Sequence, residues 1–222
     1  GGTGPVTVQY DFANDFGLAV NPGHAESYQA VLGARYKLGS EWQLDAYMSY
    51  GASDDEVQRT HNLNTTPAGI NAYLANPAPQ QAFNPFGSGN SNSQAINDAV
   101  SNGQFIIQGG TKLKVYAAQA DGPLFQMAGG SARLAVGAEY SSEELNSLLQ
   151  SGSTVAPVIV PGLATRSVKA VFAEVYLPLF GADNAAAGAQ RLDLSLSGRF
   201  EDYSDFGNTS NPKIGLICKP TS

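Results

Sequence analysis

Few residues of this chain have the chemistry and the spacing of a catalytic or metal site. The two histidines, His24 and His61, lie in predicted loops and lack the spacing of zinc ligands. The segment Gly87-Ser-Gly-Asn is a flexible loop, because a nucleophile elbow needs Gly-x-Ser-x-Gly at a strand-to-helix turn. Cys218 lies on a predicted strand and fits an inert, lipid-facing or packed thiol. We therefore predict no catalytic residue, no metal and no cofactor.

Charged side chains recur on one face of the predicted strands, opposite an apolar face. A charge near the midplane of a bilayer costs about 2–4 kcal/mol, so in a membrane sheet these residues must face a polar lumen. There they line a solute path or form a solvated wall of weak cross-strand pairs. The candidates are Arg35, Asp45, Arg133, Glu139, Lys169, Glu174, Arg191, Arg199 and Glu201.

The longest predicted loop, residues 54–110, carries two further groups of side chains. The run Asp54-Asp55-Glu56 either attracts a cation at the loop mouth or is a solvated stretch of charge. A loop this long is expected to be functional or mobile, and one or two helical turns are predicted at 93–100, capped by serine. Four loop residues either contact a ligand or pack the loop onto its neighbours: Tyr73, Phe83, Asn84 and Phe86.

About eight strands, read from alternation with a period of two, must position these groups. In the clearest, Leu192, Leu194, Leu196, Gly198 and Phe200 fall on one face and charged or hydroxyl side chains on the other. The sixth strand is predicted to place Lys169 and Glu174 opposite Val171, Ala173, Val175 and Leu177. The predicted strands are residues 5–13, 27–38, 42–53, 111–120, 131–142, 167–178, 190–202 and 212–219.

Length and composition limit the environments in which these strands can lie. The 222 residues suffice for one all-β domain, and no stretch approaches the ~18 apolar residues of a membrane helix. The 25 glycines against 14% charged residues suit strands and turns, and a net charge of −7 argues against nucleic acid as a partner. Two environments remain, a soluble secreted β-sandwich and an antiparallel transmembrane β-barrel.

Aromatic residues near the strand ends favour the barrel. Tyr28 and Tyr36, and likewise Trp42 and Tyr50, are eight residues apart on their apolar faces. Eight residues span about 26 Å of strand, or about 20 Å across a membrane at ~40° of tilt. This is close to the ~25 Å apolar band between the aromatic girdles of outer-membrane barrels. The alternative is that these are ordinary core aromatics.

The predicted connections also favour the barrel, because long and short links alternate until the last pair of strands. Outer-membrane barrels have short turns on the periplasmic side and long loops outside. We expect residues 39–41, 121–130 and 181–189 to face the periplasm. We expect residues 14–26, 54–110 and 143–166 to face outside.

Several segments, in order, resemble the barrel of TonB-dependent outer-membrane receptors. The strand Ala173-Glu-Val-Tyr-Leu-Pro is similar to the family's Ala-Glu-x-x-x-Pro strand, and Arg199-Phe-Glu-Asp-Tyr-Ser-Asp-Phe-Gly-Asn-Thr with Asn211-Pro-Lys-Ile-Gly-Leu resembles the hairpin that follows. Ala135-Val-Gly-Ala-Glu-Tyr resembles the preceding strand and Ala82-Phe-Asn-Pro-Phe-Gly the long outer loop. The family usually has tryptophan where Cys218 stands.

The resemblance implies an active transporter rather than an enzyme. Its expected partners are outer-membrane lipid, the receptor's own plug domain, through it the TonB complex, and a small solute such as an iron–siderophore, cobalamin or a glycan. The polar set would then face the plug or the solute path, in the outer membrane of a Gram-negative bacterium. We expect residues 1–222 to be an internal part of a 22-stranded barrel, without plug and last strands. A small self-sufficient barrel is disfavoured by the long loop and the missing terminal aromatic residue.

Overall fold

The computed structural model describes residues 7–18, 20–39, 41–87 and 91–220. Over these residues the fold is all-β, with seven antiparallel strands in one sheet, each hydrogen-bonded to the strand next to it in the chain. The strands are β1 (Gly23–Leu38), β2 (Trp42–Asn62), β3 (Gly103–Met127), β4 (Gly130–Ser153), β5 (Ala156–Phe180), β6 (Arg191–Tyr203) and β7 (Gly207–Lys219). The helices are α1 (Ala13–Phe16), α2 (Ile70–Leu74) and α3 (Gln94–Val100). None of the helices in the described residues is long and apolar enough to cross a membrane.

The sheet confirms seven of the eight predicted strands and contradicts the first. Residues 5 and 6 of that predicted strand lie outside the described residues, and residues 7–12 are not a strand. The Asp11 carboxylate accepts a hydrogen bond of 2.9 Å from the backbone N–H of Ala13, the start of α1. This local bond turns the chain where an alternating pattern predicted extension.

The predicted alternation of long and short connections is wrong. Strand β4 continues to Ser153 and β5 begins at Ala156, so the predicted loop 143–166 is largely a hairpin. Pro157 and Pro161, residues that usually mark loops, lie within β5. The predicted loop 54–110 shortens to residues 63–102, while the connection at 181–190 is among the longer ones. Predicted periplasmic residues 121–127 belong to β3.

Pairing of β5, β6 and β7 confirms the alternation in this part of the sheet. Leu194 lies opposite Leu177 on β5 and Leu216 on β7. Two residues on, Leu196 lies opposite Val175 and Ile214. Because side chains opposite each other in a sheet point to the same face, the three strands share one apolar face.

That apolar face is not covered by other described parts of the chain. Val171, Ile214 and Leu216 are all exposed, and Ile214 shows 75% of its surface. A soluble sandwich needs a second sheet packed against the first, and the strands of the described residues form a single sheet. The described strands therefore do not form a sandwich by themselves. β1 and β7 end the strand order, so these strands do not by themselves close a small barrel.

The chain divides into two compact units. One consists of Gly1–Glu26, Ser53–Gly110 and Asn146–Leu163, and the other of Ser27–Ala52, Thr111–Leu145 and Ala164–Ser222. In the second unit, Gly122 lies against the indole of Trp42, where a Cβ would come within 2.3 Å of a ring carbon. Gly137 lies in the same way against the ring of Phe172, also at 2.3 Å.

The first unit has a hydrophobic core of its own, which we call the loop core. It consists of Ile70, Phe83, Ile96 and Val100. The predicted helix at 93–100 is confirmed as α3, and the Ser93 hydroxyl accepts a hydrogen bond of 3.3 Å from the N–H of Ile96. This capping bond satisfies one of the free donors at the start of the helix.

Candidate solute-contacting site

The predicted polar face carries ion pairs between neighbouring strands. Arg35 on β1 donates from Nε to Oδ1 of Asp45 on β2, at 2.5 Å. Asp45 also accepts a hydrogen bond of 2.8 Å from the Gln43 side chain. Arg133 on β4 pairs at 2.8 Å with Asp121 on β3. Three of the predicted residues are thus neutralised locally.

A larger network surrounds Arg199 on β6. Its Nε donates to Glu201 at 2.7 Å, and its Nη2 lies 3.4 Å from Glu139 on β4. Glu201 also accepts hydrogen bonds from the hydroxyls of Tyr203, at 3.0 Å, and Thr209 on β7, at 3.3 Å. The structure therefore brings three predicted residues into one contact group that links β4, β6 and β7.

The predicted residues Arg191 and Glu174 make further polar contacts on β5 and β6. Arg191 pairs with Asp193 at 2.5 Å and donates to the Tyr176 hydroxyl at 3.2 Å. Glu174 accepts a hydrogen bond of 2.9 Å from Ser195. Asp193 and Tyr176 were not among the predicted site residues, although they alternate in phase with Arg191 and Glu174. That shared phase is the signal that could have identified them.

Lys169 corrects one of the predictions. The register places it opposite Asp202, in phase with the pair Val171 and Phe200. Residues two apart on a strand share a face, so Lys169 lies on the face of Val171 and not on that of Glu174. The sequence alone gives the face of Lys169, because residues 169 and 171 are two apart on the strand and therefore point to the same side.

Most of the predicted charged residues on the polar face are paired with a charge of opposite sign. Exposed ion pairs of this kind are weak, since water competes for both partners. Arg133 and Asp121, for example, keep 49% and 39% of their side-chain surface exposed. The pair of Arg133 and Asp121 is therefore expected to contribute little to the stability of the sheet.

One of the predicted loop residues belongs to the loop core, and a second packs against it. Phe83 is only 3% exposed, and its ring packs against Tyr10 and Phe12 at centroid distances of 5.4 and 5.6 Å. Tyr73 packs against the same core, and its carbonyl oxygen accepts a hydrogen bond of 3.0 Å from the N–H of Phe83. The contacts of Phe83 with Tyr10 and Phe12 agree with the alternative that these residues pack the loop onto its neighbours.

The other two loop candidates are arranged by a turn. Asn84 accepts a hydrogen bond of 3.0 Å from the N–H of Phe86 through its side-chain oxygen. Its own N–H donates to the Asn92 side chain at 2.7 Å. Phe86 follows the turn with 78% of its surface exposed. It is the most exposed of the aromatic rings among the four candidates.

Phe83, Asn84 and Phe86 line one cavity of about 820 Å³, which we call the loop cavity. Sequence reasoning missed the residues 8–12 that close it, because it placed them in a strand. Its other lining residues are Val8, Tyr10, Phe12, Ile70, Leu74, Pro79, Ala82 and Pro85. Tyr73 lines a different cavity, of about 560 Å³.

The predicted acidic run lies in a smaller cleft of about 380 Å³, where Asp54, Asp55 and Glu56 are joined by His24. The side chains of Gln58 and Gln108 both donate hydrogen bonds to the Glu56 carboxylate. Within residues 7–18, 20–39, 41–87 and 91–220, no group of three or more His, Cys, Asp or Glu side chains is placed to hold a metal ion.

The histidines and the cysteine occupy strands. His24 lies at the start of β1 and His61 near the end of β2, where its φ of 59° is left-handed. The prediction that both lie in loops is therefore wrong. Cys218 is exposed on β7, opposite Leu192 on the apolar face.

Comparison with known proteins identifies the family. A search of curated proteins gave no match. The family model described as TonB dependent receptor-like, beta-barrel matches residues 2–222, nearly the whole chain. The β-barrel architecture of this family agrees with the single antiparallel sheet of the described residues, one face of which is apolar and exposed. The chain belongs to the family of TonB-dependent receptor-like β-barrels.

Proposed function

We propose that this chain is part of an outer-membrane active transporter that binds a scarce solute outside the cell and imports it with energy from the TonB complex. Family membership carries the assignment to transport across the outer membrane of a Gram-negative bacterium. The single structural observation that supports it best is the pair of contrasting faces on β5–β7. Exposed Val171, Ile214 and Leu216 suit lipid, and the opposite face holds the charged network of Arg199.

In this proposal the polar face lines the lumen and meets the plug domain. Its candidates are Arg35, Asp45, Arg133, Glu139, Glu174, Arg191, Arg199 and Glu201. The weak ion pairs support such a role, because they can be exchanged for contacts to a plug surface when the plug moves. The solute classes we propose are iron–siderophores, cobalamin and glycans.

The segment 63–102 is proposed to capture the solute. Its two ends are held together by Asn64, whose side chain donates to the Asn102 side chain at 2.7 Å. Between these ends lies the loop core, which makes the segment a folded unit rather than a mere connector. A loop closed at its base can be shortened with little entropic effect on the sheet.

Uptake in cells tests the proposal. Cells that express the receptor take up radiolabelled ferric siderophores, cobalamin or maltooligosaccharides, with and without a proton uncoupler. We expect one solute to accumulate only in energised cells that carry the receptor. Accumulation that persists with the uncoupler would contradict energy coupling, and accumulation of none would contradict the proposed solute classes.

A deletion tests the role of the loop. Removing residues 65–100 and joining the ends with two glycines retains both Asn64 and Asn102. We expect normal abundance in the outer membrane and at least about tenfold weaker solute binding, a change of about 1.4 kcal/mol. Loss of assembly would make the segment structural, and unchanged binding would show that it takes no part in capture.

A further inference from the structure

We propose that the loop cavity binds an uncharged aromatic or aliphatic group carried by the solute. This proposal rests on the proposed transport function, since it names the chemistry of the solute at that receptor's outer loop. It commits to a small-molecule group as the occupant, rather than to a protein segment or a lipid.

The size and lining of the loop cavity are those of a small-molecule site. Its volume of about 820 Å³ falls in the range of about 300–1,000 Å³ that is typical of small-molecule sites. The lining residues are aromatic, aliphatic or proline, apart from Asn84 and the hydroxyl of Tyr10. Such a lining is typical of sites that bury apolar ligand surface and use few polar groups for orientation.

The absence of charge around the cavity favours an uncharged occupant. None of the residues that line the cavity has an ionised side chain. The Tyr10 hydroxyl donates to Asp15 at 2.6 Å, and that bond, together with burial and the charge of Asp15, raises the pKa of Tyr10 to about 12. The phenol is therefore neutral at physiological pH, and its donor is already used. A charged group in this cavity would lose its hydration without gaining a counter-charge.

The polarity of the cavity also argues against a bare glycan as its occupant. A sugar ring presents many hydroxyl groups, each of which needs a partner when it leaves water. In the lining, Asn84 already uses its side-chain oxygen on the N–H of Phe86. The acidic cleft with Asp54, Asp55 and Glu56 offers the contrasting chemistry in the same unit.

The cavity is already shaped by packing on one side and open on the other. Phe83 is held edge-on to Tyr10, and Phe12 stacks on Phe16 at a centroid distance of 5.2 Å. Phe86 and Leu74, in contrast, expose 78% and 49% of their surface. A bound apolar group gains contacts with fixed rings and covers the two exposed side chains, both of which favour binding.

The test measures binding of a simple neutral aromatic probe, 4-fluorobenzyl alcohol, to the purified receptor in nanodiscs by fluorine NMR. Leu74→Asp places a carboxylate at the cavity, and Leu18→Asp makes the same change at an exposed leucine of the same unit that does not line it. Phe86→Ala removes an exposed ring and leaves the loop core intact. Empty nanodiscs give the contribution of lipid.

We expect the unaltered receptor to bind the probe above the lipid background. Leu74→Asp should weaken binding about tenfold or more, Phe86→Ala about threefold, and Leu18→Asp by less than about twofold. Absence of binding above the background, or equal binding by Leu74→Asp and Leu18→Asp, would overturn the proposal. If Leu74→Asp does not fold, the test relies on Phe86→Ala. Unchanged binding of the probe by Phe86→Ala would then overturn the proposal.

The outcome is separable from that of the proposed function. Probe binding is measured without cells or energy, so a receptor that fails the uptake experiment can still bind the aromatic group. Conversely, energised uptake together with absent probe binding would leave the transport function standing and reject this assignment of the cavity.

Discussion

The loop core and the sheet β5–β7 use the same kinds of residue in opposite environments. Val100 in the loop core is completely buried, whereas Ile214 on β7 is 75% exposed. The core obtains its apolar contacts from α2, α3 and the aromatic residues of 10–16. On the sheet, the corresponding side chains are not covered by other described residues, and our proposed function places lipid against them. The comparison shows that hydrophobicity alone does not say where an apolar residue will find its partner.

The polar residues of the two regions differ as well. In the loop, buried Asn64 and Asn92 use hydrogen bonds to hold turns and backbone groups in place. On the sheet, Arg199 and its partners remain partly exposed on one face. The loop thus has a buried core of its own, whereas the sheet exposes apolar side chains on one face and charged side chains on the other.

The largest effect is expected from Phe83→Ala in the loop core. Truncation of a buried phenylalanine typically costs about 3–5 kcal/mol, because apolar contacts are lost and a cavity is left. We expect rapid hydrogen exchange and proteolysis within 63–102, with normal insertion of the receptor. Phe86→Ala, at an exposed ring, is the matched control and should leave exchange unchanged. Similar exchange in both variants would contradict the existence of a cooperative loop core.

A smaller effect is expected from placing arginine on the two faces of β6. Leu196→Arg puts a charge on the apolar face and should reduce stability in lipid by about 2–4 kcal/mol if the residue lies near the midplane. Ser197→Arg, one residue away on the polar face, should change stability much less. Urea unfolding of the receptor in lipid vesicles measures both. If Ser197→Arg were the more harmful change, the assignment of the faces would be reversed.

The smallest effect concerns the phenol of Tyr10. Its pKa of about 12 in the folded chain exceeds the ordinary value of 10.0, mainly because of the hydrogen bond to Asp15. The stabilisation is therefore fully present below about pH 10 and is lost as the pH rises through about 12. Difference absorbance of the phenolate in the receptor and in Tyr10→Phe isolates this titration. Asp15→Asn should move the midpoint toward 10, and an unchanged midpoint would show that Asp15 is not the cause.

The sheet was largely predictable because its signal is local. Alternation along residues 191–203 is almost unbroken, and the register of β6 follows it. The outer parts of β4 and β5 were missed, since Pro157 and Pro161 are typical of loops and only pairing with the partner strand overrides that preference. The error at Lys169 had no such cause, because simple parity gives its face.

The site was less predictable than the sheet. Aromatic residues in a long loop suit both ligand contact and a core, and only the three-dimensional arrangement separates exposed Phe86 from buried Phe83. The contribution of Tyr10 and Phe12 could not be seen, because their partners lie about 60 or more residues away in the chain. Long-range packing of this kind leaves no regular spacing in the sequence.

The close approach of Gly122 to Trp42 has a consequence for assembly. A slip of β3 by two residues against β2 would bring Ala120 or Leu124 to the indole. Both residues carry a Cβ, and at the position of Gly122 a Cβ would lie 2.3 Å from a ring carbon. The wrong alignment is thus rejected by steric overlap while the right one is accepted. Gly122, which has no side chain, thereby restricts β3 to its native register against β2.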